Sequence, residues 1–162
     1  MEVVTYLTRQ HREVEDLLAK ALDCQDPAER RGLFANAADH LTLHIESEER
    51  VLFPVVKASR TEDILLETLE EHLSLKRLLV DLMTLDPNEP TYEAKLKVLK
   101  EQTEHHHGEE EDDLFPKIKK LLDLQRRTAL AADMDALQKQ MDRTHAAPRD
   151  MVRNETDAAA PL

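Results

Sequence analysis

The chain has 162 residues, enough for one domain to bury a real core without disulfides or other staples, and its single cysteine, Cys24, excludes an intrachain disulfide. Only two glycines accompany abundant Leu, Ala, Glu and Lys, which points to an all-α fold. A formal net charge of −12 opposes nucleic acid or anionic lipid as partners. The lack of a signal peptide or long apolar run predicts a cytoplasmic protein with no membrane association.

The first predicted helix runs over about residues 4–22, with Val4, Leu7, His11, Val14, Leu18 and Leu22 recurring at the three- and four-residue steps of one buried face. Asp26-Pro27-Ala28-Glu29 reads as an N-cap, a proline at the first helical position and a glutamate closing a capping box. The second helix therefore starts near Pro27 and presents Leu33, Ala37, Leu41, His44, Glu48 and Val51. Thr61-Glu62-Asp63 opens the third, with Leu65, Leu69, His72, Leu75, Leu79 and Leu82 on its face. Asp86-Pro87-Asn88-Glu89 repeats the capping pattern before the fourth, whose face holds Leu96, Leu99, Thr103, His106, Glu110 and Leu114. Short connections make consecutive helices antiparallel neighbours, which predicts an up-down-up-down four-helix bundle over residues 1–123. Residues 124–162 read as an appendage: Leu130, Met134, Leu137 and Met141 form a short fifth helix, for bundle packing or homodimer contact, followed by a frayed tail from His145 onward.

A longer period overlies the helical one. His44-Ile-Glu-Ser-Glu48-Glu49 with Leu52-Phe53-Pro54 returns, 62 residues later, as His106-His-Gly-Glu-Glu110-Glu111 with Leu114-Phe115-Pro116, and His11 returns as His72 after 61. The chain reads as one helical hairpin written twice, so two copies packed face to face carry their histidines into a shared interior about a pseudo-twofold axis.

His and Glu four apart lie one above the other on a helix. His44/Glu48 and His106/Glu110 therefore place imidazole beside carboxylate on a seam otherwise made of leucine, where an unpaired carboxylate is costly to bury. A cation removes that cost. The candidate ligands are His11, His44, Glu48, His72, His106 and Glu110, a nitrogen and oxygen set suited to iron and compatible with manganese or zinc. If each glutamate bridges two metals, every metal receives four protein bonds and keeps open positions for a small ligand. Glu49, Glu111 and His40 lie close enough in register to assist or to be solvated, and Pro54 and Pro116 should kink or end their helices just beyond the site. His105 and His107 flank the ligand face of helix four and are expected to point outward, and His145 lies in the tail.

These residues resemble the hemerythrin-like domains that carry the His-His-Glu cation-binding signature, over about residues 4–122. The resemblance implies an up-down bundle with a carboxylate-bridged centre of two iron ions, monomeric or homodimeric, with O2, peroxide, nitric oxide or iron itself as the small partner. The same ligands would also serve a ferroxidase or a peroxide-consuming enzyme. A ferritin-like site wants two Glu-x-x-His motifs, of which only Glu104-x-x-His107 is present. A helical interaction module without metal is the remaining alternative. In one respect the sequence departs from the oxygen carriers, whose third helix holds two ligand histidines four apart. His72 is followed four residues on by Lys76 and preceded by Thr68, which weighs against reversible oxygen carriage. Glu15, four residues after His11, is the repeat mate of Lys76; the two are expected to approach each other beside the site, with Glu15 as a further carboxylate ligand or both as solvated flank residues the alternatives.

Overall fold

The computed structural model describes residues 1–162, which form helices and no strands. Helix α1 spans Val3–Asp23 and α2 spans Pro27–Ser47, continuing through a π-helical turn (Glu48–Leu52) into Phe53–Val56. Helix α3 spans Glu62–Thr84; α4 spans Pro90–Glu109 and continues through a second π turn (Glu110–Leu114) into Phe115–Leu121. Helix α5 is Leu124–Thr144, and a 3-10 segment, Pro148–Asn154, follows.

Asp26 caps α2 as its sequence suggests, its carboxylate accepting from the Glu29 amide at 2.9 Å with Pro27 in the first turn. Its counterpart Asp86 does not cap α4. It accepts from the Asn88 amide in a local turn, and Pro90, not Pro87, takes the first helical position. Helix α1 packs on α2 and α4, and α3 on α4 and α2, closing the ring of an antiparallel four-helix bundle. Arg30, near the start of α2, marks one end of it, donating to the carbonyls of Leu22 and Cys24 at the end of α1 and reaching Glu93 at the start of α4.

Both prolines follow a π turn, and both π turns begin at a seam glutamate. Four residues along an α-helix overshoot one turn by about 40°. One wider turn cancels that drift, so Glu48, Leu52 and Val56 stay on one buried face, as do Glu110, Leu114 and Ile118. Val51, placed on the face by simple periodicity, is only partly buried. The missing proline amides fall where the ladder is already re-registered, so the helices continue past them.

The apolar core is split in two. One cluster holds Leu7, Leu52, Phe53, Leu65, Leu114 and Phe115; the other holds Val14, Leu18, Phe34, Leu41, Leu79 and Tyr92. Helix α5 lies against α1 and α2 and buries Leu130, Met134 and Met141, so its apolar face is spent on the bundle itself. The tail is not frayed. Val152 is fully buried against the second cluster, Arg149 pairs with Asp39, Arg77 donates to the carbonyls of Thr156 and Asp157, and Glu155 pairs with Lys76. Composition hid this docking because it rests on Val152, small or isolated apolar residues (Ala159, Ala160 and Leu162 against the first cluster) and scattered charges, with no periodic pattern. Truncating Leu79, fully buried in the second cluster, to alanine should cost about 2–5 kcal/mol in urea unfolding. Leu66→Ala, at a 48% exposed position, should cost under about 0.5 kcal/mol. Similar losses from both would contradict this division of the core.

Candidate metal centre

Between the two apolar clusters lies a layer of ionisable side chains. His11 comes from α1, His44 and Glu48 from α2, His72 from α3, and His106, His107 and Glu110 from α4, each no more than 1% exposed. The six residues expected from sequence therefore meet at one level of the bundle, with a seventh that was expected to point away. Their donor atoms form two groups, each within 4.8 Å: His11, His44, Glu48 and Glu110, and Glu48, His72, His106 and Glu110.

The two carboxylates belong to both groups because each divides its oxygens between them. Glu48 turns Oε1 toward His44 Nε2 and Oε2 toward His72 Nε2, both at 3.4 Å. Glu110 turns Oε2 toward His11 Nε2 at 3.1 Å and Oε1 toward His106 Nε2 at 3.5 Å. That is the disposition of a carboxylate that bridges two cations. All four of these oxygens lack a hydrogen-bond partner, as do Nε2 of His11, His44 and His107, while Nε2 of His72 and His106 face each other at 3.1 Å. Seven buried polar atoms without a protein partner in one layer would cost many kcal/mol as they stand. Cations answer the cost, and nitrogen with carboxylate oxygen is a donor set that iron, manganese or zinc accepts.

The outer nitrogens are all occupied. Nδ1 of His11 bonds to Glu111 at 2.7 Å, that of His44 to the amide oxygen of Gln10 at 3.0 Å, and that of His72 to Glu49 at 2.9 Å. Nδ1 of His106 bonds to Glu71 at 3.2 Å and that of His107 to Glu15 at 2.8 Å. Each partner is an acceptor, which favours the proton on Nδ1; at His11, His44 and His107 that leaves the Nε2 lone pair facing inward, the tautomer that a metal needs, while His72 and His106 share a proton between their Nε2 atoms. These anchors obey the internal repeat. Glu111 on His11 mirrors Glu49 on His72 across the hairpins, and Gln10 on His44 mirrors Glu71 on His106. Glu49 and Glu111 thus act as anchors and are not solvated flanks. Gln10 was absent from the sequence reading, although it precedes His11 as Glu71 precedes His72.

Other expectations change. Glu15 and Lys76 do not pair: Glu15 holds His107 and Arg12, and Lys76 binds Glu49 at 2.9 Å and Glu155 at 2.8 Å. His107 is buried, its ring stacked on His11 with centroids 3.9 Å apart. His40 bonds to the Asn36 carbonyl of its own helix and His145 to that of Met141, both away from the layer, and His105 is exposed beside Glu109. Helix α5 reaches the site indirectly, because Gln138 forms a reciprocal amide pair with Gln10, the anchor of His44.

A buried layer of imidazoles joined by bridging carboxylates, carried on four antiparallel helices, defines a cation-binding bundle. A family model described as the hemerythrin HHE cation binding domain matches residues 2–118, and the chain belongs to that family. A protein named DNA nickase from Nostoc sp. is 26% identical over 136 residues, which are 84% of this chain but 39% of that protein, so the chain spans well under half of this relative. The crystal structure of a hemerythrin HHE cation binding domain-containing protein from Mycobacterium kansasii shares the fold, with a TM-score of 0.77 at 23% identity, covering 93% of this chain and 98% of that one. No helix is long and apolar enough to cross a membrane.

Protonation differs among the site residues. Burial, with the neighbouring His11, holds His44 well below the ordinary imidazole range; burial also lowers His72 and brings His107 down to about 4. Burial pushes Glu48 well above the ordinary carboxylate range, reinforced by the charges of Glu110 and Glu49. For His106 burial works downward, but Glu110 and Glu71 outweigh it and raise the imidazole. Burial thus favours the neutral forms of His44, His72 and His107, whereas Glu48 and His106 hold their protons to higher pH than the free groups, so a cation competes with protons at those two. Metal loading should release protons, and affinity should fall as pH is lowered. A weakly buffered indicator titration with ferrous or zinc ion checks this; proton uptake, or none exchanged, would contradict it.

Proposed function

We propose that this chain binds two metal ions, iron by preference, and uses the centre to handle or sense O2, peroxide, nitric oxide or iron itself. The observation that carries the reading is the split of both carboxylates, each giving one oxygen to the His11/His44 pair and one to the His72/His106 pair. Six side chains so arranged would supply four bonds to each ion and leave positions for exchangeable ligands. When bound, the pair of ions would supply reversible coordination and one-electron chemistry at those positions.

The protein's own contribution is enclosure and orientation. The apolar clusters above and below exclude bulk water from the layer, which strengthens electrostatic interactions within it. The Nδ1 anchors lock each ring, and Lys76, buried at 2% exposure, places a positive charge one residue behind His72 through Glu49. Burial disfavours that ammonium, yet Glu49 and Glu155 hold its pKa above the ordinary lysine value. The third helix thus offers a cation at the position where an oxygen carrier has a further histidine, which supports a reactive or sensing site over an oxygen store. The strand cutting implied by the name of the Nostoc relative is not assigned to this chain, whose net charge of −12 repels a phosphate backbone.

Iron analysis after anaerobic reconstitution tests the reading. The wild-type chain should hold about two ions, and His44→Ala or His106→Ala should lose both, because each removes a donor beside a shared bridge. His145→Ala, remote from the layer, should match the wild type. Full iron content in His44→Ala and His106→Ala would overturn the assignment.

A further inference from the structure

We propose that His107 is a fifth imidazole ligand of the centre, binding the same cation as His11 and His44; this rests on the two-metal reading above. His107 is 1% exposed, and its Nδ1 is fixed by Glu15 at 2.8 Å. Its Nε2 has no hydrogen-bond partner, and a ring nitrogen of His107 lies within 4.8 Å of ring nitrogens of both His11 and His44. It therefore has the three properties of His11 and His44: an anchored outer nitrogen, a free inner one, and convergence with them.

Its position follows from helix geometry. Helix α4 lies between α1 and α3, and adjacent residues on a helix are turned by about 100°. His106 turns toward α3, where Glu71 anchors it, and His107 turns toward α1, where Glu15 does the same. The internal repeat shows that packing alone does not require a histidine there. The residue 62 positions earlier is Ile45, fully buried on α2, so an aliphatic side chain fills the equivalent place in the first hairpin. The anchor changes with it: the repeat mate of Glu15 is Lys76, which could hold no imidazole proton and instead binds Glu49 and Glu155. The pseudo-twofold is thus broken at both members of one interacting pair. Replacing Ile by His in a buried layer buries a polar atom at a cost, which metal binding at Nε2 offsets.

The centre is consequently unequal. The cation at His11 and His44 receives three imidazoles and two bridging oxygens, whereas its neighbour at His72 and His106 receives two and two.

The test uses the full chain labelled with 15N at its eight histidines, titrated with zinc ion and followed by long-range proton–nitrogen NMR of the side chains. Five Nε2 resonances should move to metal-bound positions while those of His40, His105 and His145 stay. In His107→Ile, the residue found at the repeat-equivalent position, four should move, with folding checked by circular dichroism. Only four moving in the wild type would overturn the inference while leaving the two-metal reading intact. None moving would overturn both. The wild-type count decides the matter even if the variant fails to fold.

Discussion

Five imidazoles and two carboxylates buried in one layer, with apolar clusters on either side, set the terms for the rest of this bundle. A leucine-lined interior accepts such groups only if each is paired, and here four carboxylate oxygens and the inner nitrogens of His11, His44 and His107 have no hydrogen-bond partner in the protein. Every other feature near the layer serves to make that arrangement tolerable. The outer nitrogens are anchored, the anchors are in turn held by Arg12, Lys76 and Gln138, and the π turns keep the apolar seam in register directly beyond each bridging glutamate.

The doubling of the hairpin explains how a chain of this size builds the layer. Each copy contributes one lone histidine and one His-x-x-x-Glu, and each copy anchors the lone histidine of the other: Glu111 reaches back to His11, and Glu49 across to His72. The two hairpins are therefore interlocked by hydrogen bonds as well as by packing. Departures from the repeat mark where the two halves have diverged. Glu15 and Lys76, of opposite charge at matched positions, serve different neighbours, and the C-terminal segment covers only one side, where Glu155 meets Lys76.

The four main helices, their order and the six ligand candidates were legible because a 3.6-residue apolar period carries the fold and a 62-residue repeat selects which polar positions share its face. What escaped has definite causes. His107 lies beside the seam and not on it, and only the placement of α4 between two neighbours makes both His106 and His107 interior. Asp86 shares the Asp-Pro-x-Glu pattern of Asp26, but Asn88, where the first copy has Ala28, competes for its carboxylate, and the helix starts at Pro90. The docked tail depends on long-range pairs, Arg149 with Asp39 and Glu155 with Lys76, which no local pattern reveals. Gln10 would have been found by carrying the repeat one residue outward, from Glu71 before His72 to the residue before His11.

The central claim is that paired cations neutralise this layer. It is tested most directly by diffraction at the iron absorption edge from crystals of the full chain, purified without an affinity tag and without added metal. The account predicts two anomalous peaks about 3.5–4 Å apart between Glu48 and Glu110, one beside His11 and His44 and the other beside His72 and His106. A layer with its side chains arranged as here and no peak, or metal confined to a surface cluster such as Glu71, His105 and Glu109, would contradict it.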